Sequence, residues 1–127
     1  MKEYFTLKPN DTDINEIQNL SPAIVAVFSY LCLYADTYGL PVRITSIFER
    51  IPERVSSTHS TGRAIDISVD GWSDLHLERL KNKLNRDFKK WGTSKDGKNP
   101  KVMIIHDVGL GKHIHIQTRR GITYGEE

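Results

Sequence analysis

The sequence predicts an α+β domain in which a small, mostly antiparallel sheet packs against helices. Two segments carry apolar residues at helical spacing, and several shorter segments alternate apolar and polar residues as strands do. Their order is helix, strand, strand, helix and hairpin, which favours an α+β fold with a mostly antiparallel sheet. A chain of 127 residues with 38% hydrophobic content fits one domain, residues 1–127, with one core.

The first predicted helix begins at Ser21 and Pro22, an N-cap hydroxyl followed by proline at the first helical position. Gly39 supplies its stop. Its apolar face is Ile24, Val27, Phe28, Leu31 and either Tyr34 or Ala35. Residues 1–20 before it are polar and are expected to form an N-terminal arm, with a short helical turn from Asp13.

A second helix is predicted from the cap Ser73 to a stop at Gly92. Its apolar stripe is Leu77, Leu80, Leu84, Phe88 and Trp91. His76 lies in the first turn, off that stripe, and is expected at the surface. The Lys and Arg residues of this helix predict a solvated face; nucleic-acid binding by the same face is a weaker alternative that depends on charge alone.

Strands are predicted at residues 40–47 and 64–69, and a closing hairpin at 102–105 and 113–117 with Gly109 and Gly111 in its turn. In the second strand, Asp66 points away from the face that carries Ile65 and Ile67, because side chains alternate along a strand. Residues 119–127 are expected to form a loose tail.

Composition excludes some functions. One cysteine, Cys32, rules out a disulfide framework, disfavours a thiolate metal site and is expected to be a buried small residue. The formal charge of +2 is only weakly suggestive of an anionic partner.

The N-terminus lacks the apolar segment of a secretory signal, and residues 24–34 are too short to span a bilayer. We therefore expect synthesis in the cytoplasm and no membrane insertion.

Three histidines and one aspartate suggest a metal site. His59 and Asp66 flank a turn at Gly62, and both can reach one point across it. His113 and His115 point the same way from the hairpin strand, so one can bind a metal while the other lines the cleft. Two imidazoles and one carboxylate leave a zinc coordination position open, which is typical of catalytic sites. A single His near an Asp is more often a structural pair.

The motif Ser-x-His-x-x-Gly-Arg-Ala-x-Asp-Ile at residues 57–67, followed by His-x-His at 113–115, resembles the zinc D-Ala-D-Ala carboxypeptidase and L-alanyl-D-glutamate endopeptidase family. That family includes phage endolysins, and its fold is shared with the hedgehog signalling domain. The resemblance covers roughly residues 21–118. It implies that His59, Asp66 and His115 bind Zn²⁺, and that His113 lines the site and hydrogen-bonds the tetrahedral intermediate.

The resemblance also implies a general base and a substrate-binding arginine, and here this chain departs from the family. Asp107 is the acid on the hairpin and is the favoured base; His106 is the substitute, and a turn-starting Asp is the structural alternative. The arginine that follows the first strand in the family is replaced by Glu49; Arg50 or Arg54 is the candidate substitute, and a solvent-facing arginine is the structural alternative.

The predicted function is a zinc metallopeptidase that hydrolyses peptide bonds of peptidoglycan, of D-Ala-D-Ala carboxypeptidase or L-Ala-D-Glu endopeptidase type. We expect a monomer from a phage or prophage, which acts on the cell wall after release or within a phage particle and binds the peptidoglycan peptide, not nucleic acid. The alternative is a non-catalytic zinc-binding module with the same fold.

Overall fold

A computed structural model describes residues 4–7, 20–47, 63–94, 98–108 and 111–119. Two α-helices and five strands occur in these ranges. In chain order they are β1 (Thr6–Leu7), α1 (Pro22–Tyr38), β2 (Arg43–Ser46), β3 (Ala64–Ser68), α2 (Asp74–Asp87), β4 (Met103–Val108) and β5 (Gly111–Gln117), with a 3₁₀ turn at Lys89–Trp91.

Helix α1 confirms the predicted capping residues. The Ser21 hydroxyl accepts a hydrogen bond from the Ile24 N–H, and Pro22 occupies the first turn. Gly39 ends the helix in the left-handed region at φ 66°, where its N–H donates to the carbonyls of Ala35 and Asp36. Glycine has no Cβ to oppose that conformation, so it terminates the helix at little steric cost.

Helix α2 begins as predicted but ends earlier. The Ser73 hydroxyl accepts from the His76 N–H, and the regular helix stops at Asp87 before the 3₁₀ turn. Gly92 follows in an extended conformation, and a Cβ there would lie 2.9 Å from the Lys101 nitrogen. Close approach of the backbone around Lys101 therefore explains a glycine at this position.

The surface position expected for His76 is only partly right. His76 is half-buried, and its Nδ1 lies 2.9 Å from the Tyr34 hydroxyl. Its ring also packs against Tyr38 at 4.8 Å between centroids. The histidine thus joins α2 to α1 through aromatic contacts, which its position off the apolar stripe did not indicate.

The sheet has the strand order β1-β2-β3-β5-β4. The β2–β3, β3–β5 and β5–β4 pairs are antiparallel, which confirms the mostly antiparallel prediction. The parallel β1–β2 pair was not predicted: Thr6, in the expected arm, donates from its N–H to the Val42 carbonyl at 2.8 Å. Residues 8–19, including the turn expected from Asp13, lie outside the described ranges, as does most of the predicted tail.

The sheet divides into two chemically different faces. One face pairs isoleucines across strands, including Ile67 with Ile114 and Ile65 with Ile116, and packs into a single core with both helices. Cys32 is buried in the same core, as predicted, and burial raises the pKa of its thiol to about 12. Asp66 lies on the opposite face. Within the described ranges, neither helix is both long and apolar enough to cross a membrane.

Candidate metal centre

The register of three neighbouring strands assembles the candidate site. Asp66 on β3 lies directly opposite His115 on β5, and His113 lies opposite His106 on β4. Paired residues of adjacent strands share one face, and residues two apart on a strand share it as well. The four side chains therefore project from the face opposite the core. We call them the histidine cluster: Asp66, His106, His113 and His115.

Asp66 is the anionic centre of the histidine cluster. Its Oδ1 lies 2.8 Å from His115 Nδ1 and 3.8 Å from His113 Nε2. The His106 ring stacks on His115 at 4.9 Å with an interplanar angle of 13°, and it meets His113 edge to face at 5.2 Å. Three imidazoles and one carboxylate thus form one connected cluster, in which Asp66 contacts His115 and His113, and His106 contacts both of these histidines.

The histidine cluster is partly buried. The side chains of His115, Asp66 and His113 are 7%, 16% and 23% exposed, so accessibility increases from His115 towards His113. Partial burial lowers the local dielectric and strengthens the attraction of the Asp66 carboxylate for a cation. A ligand would approach from the His113 side.

Gln117 fixes the orientation of His115. His115 Nε2 lies 3.0 Å from Gln117 Oε1, while the Gln117 amide nitrogen donates to the carbonyls of Thr93 and Lys101 at 3.1 and 3.2 Å. Because the amide nitrogen already faces two carbonyls, Oε1 must be the atom facing the ring, and it accepts a hydrogen bond from Nε2–H. Gln117 was not among the residues predicted for the site, although its spacing of two from His115 placed it on the same face.

This tautomer makes the Asp66–His115 contact suited to a cation. With the hydrogen on Nε2, the neutral ring directs the Nδ1 lone pair at the Asp66 carboxylate. Two acceptors 2.8 Å apart are at hydrogen-bond distance, so a proton lies between them, and a zinc ion would have to replace that proton. Carboxylate and imidazole are zinc ligands, and an imidazole that donates its second N–H to a protein oxygen is the usual arrangement around bound zinc. The donor chemistry therefore fits a zinc ion.

The described residues alone do not complete a metal site. Among residues 4–7, 20–47, 63–94, 98–108 and 111–119, no group of three His, Cys, Asp or Glu side chains is arranged to hold a metal ion. Two of the three predicted ligands, Asp66 and His115, are in contact. The third, His59, lies outside the described residues, as do Arg50 and Arg54.

Asp107, the favoured base, is not brought to the cluster. It pairs with Lys112 and is exposed, and it is adjacent to His106 in sequence, so its side chain projects from the opposite face of β4. His106, the substitute candidate, is the neighbour that reaches His113 and His115. The role of Asp107 as the general base remains a prediction, and the geometry favours His106 for this role.

Arg63, a residue of the first motif, has a structural contact. It is 8% exposed, and its Nη1 donates to the Thr118 carbonyl at 2.7 Å. The Thr118 N–H in turn donates to the Arg63 carbonyl at 3.0 Å. These bonds tie the start of β3 to the end of β5 and so support the register that brings Asp66 opposite His115.

Comparison of the chain with protein-family models, with curated proteins and with solved structures finds no match in any of the three.

Proposed function

We propose that this protein is a zinc-dependent metallopeptidase that hydrolyses peptide bonds of peptidoglycan, of the D-Ala-D-Ala carboxypeptidase or L-Ala-D-Glu endopeptidase type. The observation that carries the proposal is the 2.8 Å contact of Asp66 with His115 on the polar face of the sheet. These two residues come from the two motifs that resemble the zinc peptidase family. Their contact is what a shared metal site requires.

His59, Asp66 and His115 would hold the zinc ion. When bound, zinc would supply a Lewis acid that polarises a carbonyl and lowers the pKa of a water molecule. The Gln117 oxygen accepts from His115 Nε2–H, so Nδ1 would be the nitrogen that binds the ion. His113 lines the accessible side and would hydrogen-bond the oxygen of the tetrahedral intermediate.

Hydrolysis also needs a group that moves a proton from the water to the leaving amine. We favour His106 for this step, at a ring nitrogen, because its ring contacts both His113 and His115. Asp107, which the family pattern favours, would have to turn towards the other face of β4. Arg50 or Arg54 would complete the site by binding the substrate carboxylate or the oxyanion.

The proposal is tested by digestion of purified peptidoglycan, with analysis of the released muropeptides, alongside zinc content. Wild-type protein should cleave and carry about one zinc ion per chain, the number that one such site binds. The His59→Ala and Asp66→Ala variants should lose both. Ser68→Ala is the matched control, because Ser68 lies on the same face of β3 opposite His113 and should leave both intact.

Two results would count against the proposal in different ways. Zinc retained by the wild type without cleavage of several peptidoglycan chemotypes would eliminate the peptidase. Unchanged zinc content in His59→Ala would eliminate the site assignment.

A non-catalytic zinc-binding module is the second candidate. One observation favours it: Asp107, the acid that the family pattern makes the base, is exposed and projects from the face of β4 opposite the histidine cluster. A module of this kind would bind zinc with the same residues, gain stability from it and cleave nothing. Zinc content and digestion measured on one preparation separate the two candidates.

A further inference from the structure

A cleft outside the histidine cluster combines positive charge with an open strand edge. It has a volume of about 690 Å³ and lies between α2, the segment around Lys101 and strand β4. Lys81, Arg86, Lys89 and Lys101 line it, and none of the described residues that line it carries a carboxylate. Lys81 and Arg86 have acidic neighbours on α2, whereas Lys89 and Lys101 are exposed and form no ion pair in the described structure.

Strand β4 forms one edge of the sheet formed by the described strands, and part of its backbone is open. The Asn85 side chain accepts from the Met103 N–H and donates to the Met103 carbonyl, so these two groups point away from β5. Outward groups alternate along a strand, so those of Ile105 and Asp107 also point away from β5. Within the described residues no hydrogen bond occupies them. Such an edge is a template for another strand.

We propose that the β4 edge and its basic cleft bind an extended, carboxylate-bearing peptide by strand addition. The peptide backbone pairs with the outward N–H and C=O groups of Ile105 and Asp107. Its carboxylates lie at the opposite end of the cleft, near Lys89 and Lys101, away from the Asp107 side chain. The uncompensated positive lining selects an acidic peptide over a basic one.

The cleft adjoins the histidine cluster through Ile104. This residue lines the cleft and is also paired with His115 across the sheet. A peptide added to β4 would therefore run alongside His106 and place alternate side chains on the face of the cluster. The identification of that peptide as the arm of a peptidoglycan substrate rests on the proposed function; the binding itself does not.

The same cations could attract nucleic acid, but the edge favours a peptide. Met103, Ile104 and Ile105 give the cleft an apolar floor beside its charges. Alternating backbone donors and acceptors match another peptide backbone, whereas a phosphate backbone offers acceptors only. A nucleic acid is thus the alternative outcome that the experiment must distinguish.

The test is fluorescence anisotropy with EDTA-treated protein and a labelled synthetic peptide, Glu-Thr-Glu-Val-Thr-Val, whose two Glu side chains share one face at one end of the extended chain. The matched probes replace both Glu by Gln, or N-methylate alternate amides to block strand pairing. The acidic peptide should bind, and either change should weaken binding. A labelled oligothymidylate is the competing probe. Tighter binding of the oligothymidylate, or equal binding of the N-methylated peptide, would overturn the proposal.

Charge variants provide a second readout. Lys89→Gln with Lys101→Gln should raise the Kd roughly three- to tenfold, since each exposed pair contributes a fraction of a kcal/mol, and the effect should shrink at high salt. The matched control is Arg43→Gln with Lys83→Gln, which removes two charges that do not line the cleft. An equal loss of peptide affinity in both double variants would show only a net-charge effect and would refute binding of the peptide carboxylates in the cleft.

Backbone resonances test the edge without depending on a variant. On titration with the acidic peptide, the Ile105 amide should shift and become protected from hydrogen exchange, while the Ile104 amide, which faces β5, should change little. Binding without these changes would overturn strand addition. The binding assay uses metal-free protein, so its result does not depend on catalysis. If the acidic peptide binds but zinc-loaded protein cleaves no peptidoglycan, only the proposed function is contradicted. If zinc-loaded protein cleaves peptidoglycan but the acidic peptide does not bind, only this inference is contradicted.

Discussion

His115 Nε2 lies 3.0 Å from Gln117 Oε1, two residues along the same strand, and this hydrogen bond determines which nitrogen of His115 faces Asp66. The Gln117 amide is itself fixed by the carbonyls of Thr93 and Lys101. The loop before β4 therefore holds a side chain that orients a candidate ligand.

Replacing Gln117 by Leu should weaken zinc binding by roughly 10- to 100-fold, the usual cost of losing a residue that orients a metal-binding histidine. Gln117→Glu keeps an acceptor for Nε2–H but sets its second oxygen against the carbonyls of Thr93 and Lys101, so its affinity should fall between those of wild type and Gln117→Leu. The measurement is competition with a chromophoric zinc chelator. Nitrogen-15 shifts of His115 should report hydrogen on Nε2 in the wild type; equal affinities in all three proteins would exclude this role for Gln117.

Zinc should stabilise the folded protein through Asp66. A ligand that binds only the native state adds about 2.7 kcal/mol at a concentration a hundred times its Kd, which raises the Tm by several degrees. Asp66→Ala should abolish this zinc-dependent shift, whereas Ser68→Ala should preserve it. Thermal unfolding with and without zinc gives the answer, and an intact shift in Asp66→Ala would remove Asp66 from the site.

His106 and Asp107 are adjacent but lie on opposite faces of β4, so their variants should differ. Loss of a proton-transferring group typically costs about 10²- to 10⁴-fold in rate. We expect His106→Gln to lose peptidoglycan hydrolysis on this scale and to keep its zinc, and Asp107→Asn to stay within a few-fold of wild type. The reverse order would restore Asp107 as the base and would require a different hairpin register in the active protein.

Cys32 should be unreactive in the folded protein. Burial raises the pKa of its thiol from 9.0 to about 12, so at pH 8 only about one molecule in 10⁴ carries the reactive thiolate. Ellman's reagent should react slowly with the native protein and rapidly after unfolding in guanidinium chloride. Fast reaction of the native protein would show that α1 does not pack as described.

The same pKa shift predicts a sign for alkaline stability. Above pH 9 the unfolded thiol loses its proton while the folded one retains it, so the free energy of unfolding should fall as pH rises from about 9 to 12. Cys32→Ala should reduce this slope when urea unfolding is measured across that range. An identical slope in wild type and Cys32→Ala would show that Cys32 does not cause the loss of stability at high pH.

Elements with local signals in the sequence could be predicted correctly. Ser21, Pro22 and Gly39 mark the ends of α1 because capping depends on a few adjacent backbone groups, and Ser73 marks the start of α2 for the same reason. Alternation along β3 put Asp66 on the face opposite the isoleucines. The spacing of His113 and His115 put both on one face of β5.

The partners of each side chain across the sheet depend on the register between strands, which is a property of the tertiary structure. The β4–β5 pairing joins Val108 to Gly111, so His106 and not Asp107 shares a face with His115; a shift of one residue would exchange them. The parallel pairing of Thr6 and the hydrogen bonds that fix Gln117 also join residues distant in sequence. Local patterns specify which way a side chain leaves its own strand, but the turn and the packing of neighbouring strands set its partner.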